Sequence, residues 1–217
     1  MRGTGKEAAI IAAKRQKYIE TAYELFSSKN IDSVSLQDIA KETGLGLSML
    51  YRYFENKQTL VVEAATWGWN RFREENIKRQ ESLNYNEMTA AEAFEFYLDS
   101  FLVLYRDYKD MLRFNQFFNV YVQAENIDAG TLQPYQDMIA ELKDRFHDVY
   151  VKGEQDHTIR TDEPEEKMFT KTIHLMLAVV TRYAVGLVYT PKDGSDPEEE
   201  ILFQKNMMLR AYTTKCR

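Results

Sequence analysis

Apolar positions in the first third of the chain recur at three- and four-residue intervals, the spacing that lines one face of an α-helix. Between Ala8 and Lys29 there is neither Gly nor Pro, and Ile11, Ile19, Ala22, Leu25 and Phe26 fall on one stripe, which predicts one amphipathic helix. Asn30 then tolerates the left-handed conformation that ends a helix, and Asp32 and Ser33 continue the loop. Ser35 offers a hydroxyl N-cap with Asp38 three residues on, close to a capping box, ahead of Leu36, Ile39 and Ala40. Gly44 breaks this helix after about two turns, and Leu47, Leu50, Tyr51 and Phe54 begin another. Two short helices across a tight turn containing Gly have helix-turn-helix geometry. Asn56 caps a fourth, long helix running through Leu60, Val61, Ala64, Ala65, Trp67 and Phe72 towards Glu81.

After a polar break from Ser82 to Asn86, the pattern predicts helices from Thr89 to Asp107, Met111 to Gln123 and Leu132 to Val151. Pro164 and Pro197 each stand among carboxylates, the arrangement of a helix start, with Pro near the first position and negative charge at the positive end of the dipole. The helices they begin are predicted to run to about Tyr189 and Tyr212, with Pro191 and Gly194 between them. The expected fold is all-α, with about nine helices.

Composition narrows the class. With 9 Gly and 4 Pro in 217 residues, collagen-like, low-complexity and turn-rich all-β chains are excluded. The single cysteine, Cys216, permits neither an intramolecular disulfide nor a thiolate metal cluster within one chain, which suits a reducing cytoplasm. The apolar stretch from Ala8 to Ala13 is too short for a signal-peptide core, and that from Ile173 to Tyr189, interrupted by His174, Thr181 and Arg182, is shorter than the roughly 20 residues that span a bilayer. A cytoplasmic location without membrane attachment is expected. The net charge of −6 is uneven: residues 1 to 60 hold 9 Lys/Arg and 7 Asp/Glu, a balance of +2, and the remainder is −8. Attraction to a polyanion must therefore be local. No nucleophile paired with a base, phosphate-binding Gly loop or metal cluster emerges, so neither an enzyme nor a bound cofactor is expected. His147 near Glu141, Asp144 and Asp148 reads as part of a solvated acidic helix face rather than a metal site, and His157 as a loop residue.

Leu25-Phe26, the run Ser35 to Ala40, Gly44-Leu45, Leu50-Tyr51-Arg52-Tyr53-Phe54, Asn56-Lys57 and Leu60 stand in one register that resembles the N-terminal domain of the TetR (tetracycline repressor) family of transcriptional regulators, over roughly residues 14 to 65. The resemblance implies a helix-turn-helix DNA-binding domain over residues 1–55 and a helical ligand-binding and dimerisation domain over 56–217. It implies DNA contacts from Ser35, Gln37, Gly46, Leu47, Ser48, Met49, Tyr51, Arg52, Tyr53 and Lys57. Ser35, Tyr51 and Lys57 suit phosphates; Gln37 suits adenine, and Arg52 a guanine or a phosphate. The sequence departs from the family where Gly46-Leu47-Ser48-Met49 replaces a more polar start of the recognition helix. Either Leu47 and Met49 touch thymine methyls, or one packs inward and specificity leans on DNA shape.

Ten aromatic residues lie between Phe94 and Tyr121. Any one of them reads first as core, but the resemblance implies a pocket for a small apolar or aromatic ligand. Its expected lining is Phe101, Tyr105, Phe114, Phe117, Phe118 and Tyr121, with Met138, His174 and Met176. The resemblance further implies a homodimer through the last two helices, by way of Ile173, Leu177, Val180, Ala184, Leu187, Val188, Ile201, Leu202, Phe203, Met207, Met208 and Tyr212. Two recognition helices related by a two-fold would read a palindromic operator with half-sites roughly 34 to 36 Å apart. The family's common mode is a repressor that a ligand releases from DNA; an activator, or a protein partner in place of the ligand, would use the same residues.

Overall fold

The computed structural model describes residues 3–187, 189, 194 and 196–214. These form nine α-helices and one 3-10 turn: α1 (Gly3–Lys29), α2 (Leu36–Thr43), α3 (Leu47–Tyr53), α4 (Lys57–Glu81), the turn Tyr85–Glu87, α5 (Ala90–Asp107), α6 (Lys109–Glu125), α7 (Ala129–Asp156), α8 (Glu165–Val185) and α9 (Pro197–Tyr212). The only bridge among the described residues is an isolated antiparallel one between Ile159 and Thr213. Val188, Pro191 and Cys216 lie outside the described residues.

The boundaries follow local chemistry. Asn30 adopts φ 78° after α1, and Gly44 adopts φ 66° after α2, its N–H returning to the Lys41 carbonyl. At the start of α2, the Ser35 hydroxyl accepts from the Asp38 N–H at 3.2 Å and donates to the Asp38 carboxylate at 2.6 Å, while the Ser35 N–H donates to the same carboxylate at 2.9 Å. This is a complete capping box. Thr89 and Glu92 build a second one at α5, and Asp196 caps α9 ahead of Pro197. Helix α8 stops at Val185, short of the expected Tyr189, because Gly186 takes φ 110°, a conformation that ends the helical ladder. Helix α1 begins earlier than expected, at Gly3, with the poor helix formers Gly3 and Gly5 confined to its first turn.

The chain resolves into two compact units, Met1–Arg71 with Arg113–Met138, and Phe72–Leu112 with Ile139–Arg217. Helices α4, α6 and α7 carry residues of both, which a division at one point along the chain does not express. In the first unit, Tyr18, Tyr23 and Phe26 of α1 are fully buried with Leu60, Val61 and Ala64 of α4 and with Phe114 of α6. Close approach of α1 and α4 depends on Gly68, where an added Cβ would stand 2.6 Å from the Tyr23 ring. That ring cannot retreat freely, being held edge-on by Trp67 at 5.1 Å and Phe114 at 5.3 Å.

In the second unit, Phe94, Tyr97, Phe146 and Phe169 form an aromatic core, with Phe94 and Phe146 fully buried. Lys205 of α9 is buried and donates to Glu95 at 2.8 Å and Asp99 at 2.6 Å, both on α5. Burial opposes its charge, but the two carboxylates outweigh burial and leave its pKa raised.

Gly68→Ala is expected to lower stability by about 1 to 3 kcal/mol through overpacking against Tyr23, read as a drop in the urea midpoint at unchanged slope. A second expectation concerns acid. The hydroxyl and then the backbone N–H of Ser35 hold the Asp38 carboxyl below its ordinary value, so its contribution to stability is present above the unfolded value of about 3.9 and is lost as pH falls through the lower folded one. Ser35→Ala should move the Asp38 titration back up, which carboxyl NMR shifts would follow.

Candidate nucleic-acid interface

Helix α3 has seven residues, too few to be stable alone, and it is held at both ends by the first unit. At its start, the Tyr18 hydroxyl donates to the Gly46 carbonyl at 2.8 Å. At its end, fully buried Phe54 lies 6.4 Å from the Tyr18 ring and beneath Arg15, whose guanidinium is 5.1 Å from its centre. Leu50 is buried beneath α3, and Leu36, Ile39, Ala40 and Thr43 are buried beneath α2. Between them the Thr43 hydroxyl donates to the Ala40 carbonyl at 2.9 Å and accepts from the Leu45 N–H at 3.2 Å, fixing the turn.

With those positions inward, Ser48, Tyr51 and Arg52 are left on one exposed face, at three- and four-residue spacing, and Tyr51 is 55% exposed. Gln37 and Gly46 are exposed beside them. Leu47 and Met49 are half-buried, as is Tyr53, whose ring lies 6.1 Å from that of Tyr18. Burial, and then the neighbouring Tyr53, push the Tyr18 hydroxyl pKa up, so it remains a donor to Gly46. Helix α3 contains no acidic residue.

Two expected phosphate-facing groups are placed differently. The Ser35 hydroxyl is engaged as both donor and acceptor in the capping box, so what it presents outward is the α2 N-terminus rather than a free hydroxyl. The Lys57 ammonium points inward: it donates to the Ile31 carbonyl at 2.6 Å and lies 6.0 Å from the Phe26 ring centre and 5.9 Å from that of Tyr121. Burial lowers its pKa, with Asp32 and Glu125 acting in the opposite sense. Its position ties the loop between α1 and α2 to the first turn of α4.

Residues not among the expected contacts complete this face. A groove of about 560 Å³ is lined by Lys6, Glu7, Ile10, Ile11 and Lys14 of α1 and by Met49, Arg52 and Tyr53 of α3. Ile10 and Ile11 are about half exposed. The only signal in the sequence was the alternation of Lys with Ile in the first turns of α1, which amphipathic spacing alone does not connect to α3.

The expected ligand-lining residues divide between the units. Phe114 stacks on Phe26 at 5.9 Å, Phe118 lies 4.6 Å from Tyr135, and Tyr121 and Met138 are buried, all in the first unit, where Phe117 is half-buried. There the rings complete the packing around α1. Phe101, Tyr105 and Met176 are buried in the second unit, Phe101 at 6.0 Å from Tyr97. His174 is exposed on α8 and does not line the interior of its unit. His147 donates through Nδ1 to the Glu165 carboxylate at 2.9 Å, and among the described residues no group of three His, Cys, Asp or Glu could hold a metal.

Of the residues expected at a dimer interface, Val180, Ala184, Ile201 and Met208 are buried within the second unit itself. Ile173, Leu177, Leu187 and Tyr212 are half-buried. Leu202, Phe203 and Met207 are exposed on α9, Phe203 at 64%, and Leu175 and Val185 are exposed on α8. No helix among the described residues is long and apolar enough to cross a membrane.

The family model for bacterial regulatory proteins of the tetR family matches residues 19–64, which span most of α1, all of α2 and α3, and the first turns of α4. An HTH-type transcriptional regulator of Staphylococcus aureus (strain USA300) is 41% identical over 46 residues, 21% of this chain and 25% of that protein. The alignment thus spans about a quarter of the length of the curated relatives it matches. Solved structures extend the likeness in fold. A transcriptional regulator of Saccharomonospora viridis in complex with choline has a TM-score of 0.73 at 16% identity, covering 94% of this chain and all of that one. FadR of Bacillus subtilis in complex with stearoyl-CoA has a TM-score of 0.68 at 14% identity, covering 89% and 97%. A tetR-family regulatory protein from Rhodococcus RHA1 has a TM-score of 0.67 at 13% identity, covering 91% and 95%. Residues 19–64 thus match the helix-turn-helix segment of the tetR family of bacterial regulatory proteins, and the chain shares the all-α fold of these solved structures along most of its length.

Proposed function

We propose that the chain is a ligand-responsive, sequence-specific DNA-binding transcriptional regulator: a homodimer that represses from a palindromic operator and releases it when a small apolar or aromatic molecule binds its C-terminal helices. The observation that carries this reading is the outward face of α3, where Ser48, Tyr51 and Arg52 project from a short helix held in place by Tyr18 and Phe54. Such a helix enters a major groove with its polar side chains on base edges and phosphates. Tyr51 and Arg52 supply the donors, Gln37 and the exposed α2 N-terminus lie alongside, and Lys6 and Lys14 add positive charge at the α1 side. Lys57 contributes by holding the α1–α2 loop, not by meeting a phosphate.

The regulatory half of the reading draws on two relatives of the same fold solved with choline and with stearoyl-CoA, and on the buried aromatic residues of the second unit. Phe101, Tyr105 and Met176 are its lining candidates in the second unit, and Phe114, Phe117, Phe118, Tyr121 and Met138 those in the first. Ligand and DNA would then select different conformations of one population, each weakening the other. Dimerisation is supported by the exposed apolar side chains Leu175 and Val185 of α8 and Leu202, Phe203 and Met207 of α9, a face that a second copy would cover.

Selection of bound duplexes from a random library should recover a near-palindrome. Arg52→Ala should cost about 1 to 3 kcal/mol on the selected site if the guanidinium reads a guanine, and reduce the salt slope by about 1 if it meets a phosphate. Lys57→Met should weaken binding at an unchanged salt slope, because its ammonium releases no counterion from DNA. No enrichment at low salt would reject the DNA-binding reading. Phe203→Glu should convert the dimer to monomer in sedimentation velocity at micromolar concentration; a wild-type monomer would reject the dimer.

A further inference from the structure

The second unit holds two guanidinium groups that the reading above does not use. Arg73, Asn76 and Gln80 share one face of α4, and Glu141, Arg145 and Asp148 share one face of α7. Arg73 pairs with Glu141 through Nη1, but its Nε is buried without a hydrogen-bond partner, and among the described residues no other buried side-chain nitrogen or oxygen is left so. Arg145 is less well served. Of its five N–H donors, Nη2 reaches Gln80 Oε1 at a long 3.4 Å, and among the described residues no carboxylate lies within ion-pair distance of it. Burial pulls its pKa down and the charge of Arg73 adds to this, while Tyr97, Tyr85 and Asp148 oppose.

Both side chains are half-buried, but Arg73 Nε itself is buried, and a buried donor is ordinarily satisfied, so this orphan Nε beside an under-paired guanidinium marks the place of a missing acceptor. The surroundings fit an acceptor carried on an apolar body. The Tyr97 ring packs at 5.4 Å from that of Phe146, the residue after Arg145, and at 6.0 Å from that of Phe101. A groove of about 550 Å³ at the end of α4 includes Gln80 and Tyr85 in its wall, with Ile77 and Leu83 beside them, a volume in the range of small-ligand sites. Glu81 and Glu87 stand exposed in the same wall. They disfavour a bare hydrated anion and leave the apolar part of an amphiphile to drive entry.

We propose that Arg145 and Arg73, approached from this groove past Gln80 and Tyr85, bind the carboxylate of an apolar organic acid. Planar guanidinium groups match a carboxylate in two-point geometry, and the acid's two oxygens would satisfy Arg73 Nε and the free donors of Arg145 together. This rests on the reading of the C-terminal helices as the ligand-binding part and gives that ligand a charge.

The test compares 4-phenylbutanoate, its uncharged amide and inorganic phosphate on the full-length protein by calorimetry and thermal shift. The acid is expected to bind at least tenfold more tightly than the amide, and phosphate alone to leave the melting temperature unchanged. Arg145→Met should abolish the preference for acid over amide and raise the melting temperature of the ligand-free protein. Arg73→Lys keeps a positive charge beside Glu141 but replaces the planar guanidinium, its Nε included, with an ammonium, and should reduce the preference without loss of fold. Equal affinity for acid and amide would overturn the proposal while sparing the ligand pocket. Equal stabilisation by phosphate would overturn the organic acid, and a lower melting temperature of Arg145→Met with no response to any probe would make the arginine structural. Preferential binding of the acid without release of DNA would uphold the anion site and reject ligand control of the operator.

Discussion

A helix of seven residues cannot hold its shape in water, so everything the N-terminal unit does depends on the packing of α1 beneath α3. Tyr18 is the centre of that arrangement. Its ring is fully buried against Tyr53 and Phe54, and its hydroxyl meets the carbonyl of Gly46, the residue that starts α3. One side chain thereby fixes both the depth of α3 and the direction of its first turn. Tyr23 and Phe26 carry the same constraint along α1, where Gly68 lets α4 approach and Phe114 of α6 closes the other side. The exposed residues of α3 are positioned by contacts one or two layers beneath them, the arrangement that keeps a recognition surface rigid enough to discriminate.

The treatment of buried charge separates structural from functional groups. Lys205 has two carboxylates, Arg15 has Glu63 and the Phe54 ring, and Lys57 has a carbonyl and two aromatic faces. Each of these cations is matched, and each joins helices distant in sequence. Arg73 and Arg145 differ, one by an orphan nitrogen and the other by the lack of a close carboxylate. A fold that pairs its buried and half-buried cations elsewhere makes this local deficit informative.

Much of the fold was legible because caps and turns are written in single residues. Asn30, Ser35 with Asp38, Gly44, Thr89 with Glu92 and Asp196 with Pro197 fix helix ends by chemistry that the spacing of the sequence displays. Gly186 gives no such signal because its neighbours in sequence are apolar, and only its positive φ reveals that the helix ends there. Side-chain direction was the harder matter. Spacing places Lys57 at the start of α4, but whether its flexible stem turns to solvent or to the Ile31 carbonyl depends on a loop 26 residues earlier. The aromatic residues from Phe94 to Tyr121 read as one stripe, yet Phe94 and Phe101 fall in one compact unit and Phe114 and Phe118 in the other, because the division between units runs through α6. Helical periodicity gives the face of a residue, not the neighbour that face meets.

Net charge is a poor guide to such a protein for a related reason. At physiological salt, charges more than about 8 Å apart are largely screened, so a polyanion responds to the surface it touches and not to a total of −6. What matters is that α3 carries Arg52 and no acid, that Lys6 and Lys14 border the same groove, and that the carboxylate of Asp38 is occupied by Ser35. The acidic residues at the starts of α8 and α9 serve helix dipoles locally. Segregation of charge by element, with Asp38 tied to Ser35 and Glu7 the one acid among the groove's lining residues, lets an acidic chain present a surface on which an anion meets mainly donors. The same reasoning applies at Arg145, where the charge of the immediate shell, and not that of the helix or the chain, determines what can be held.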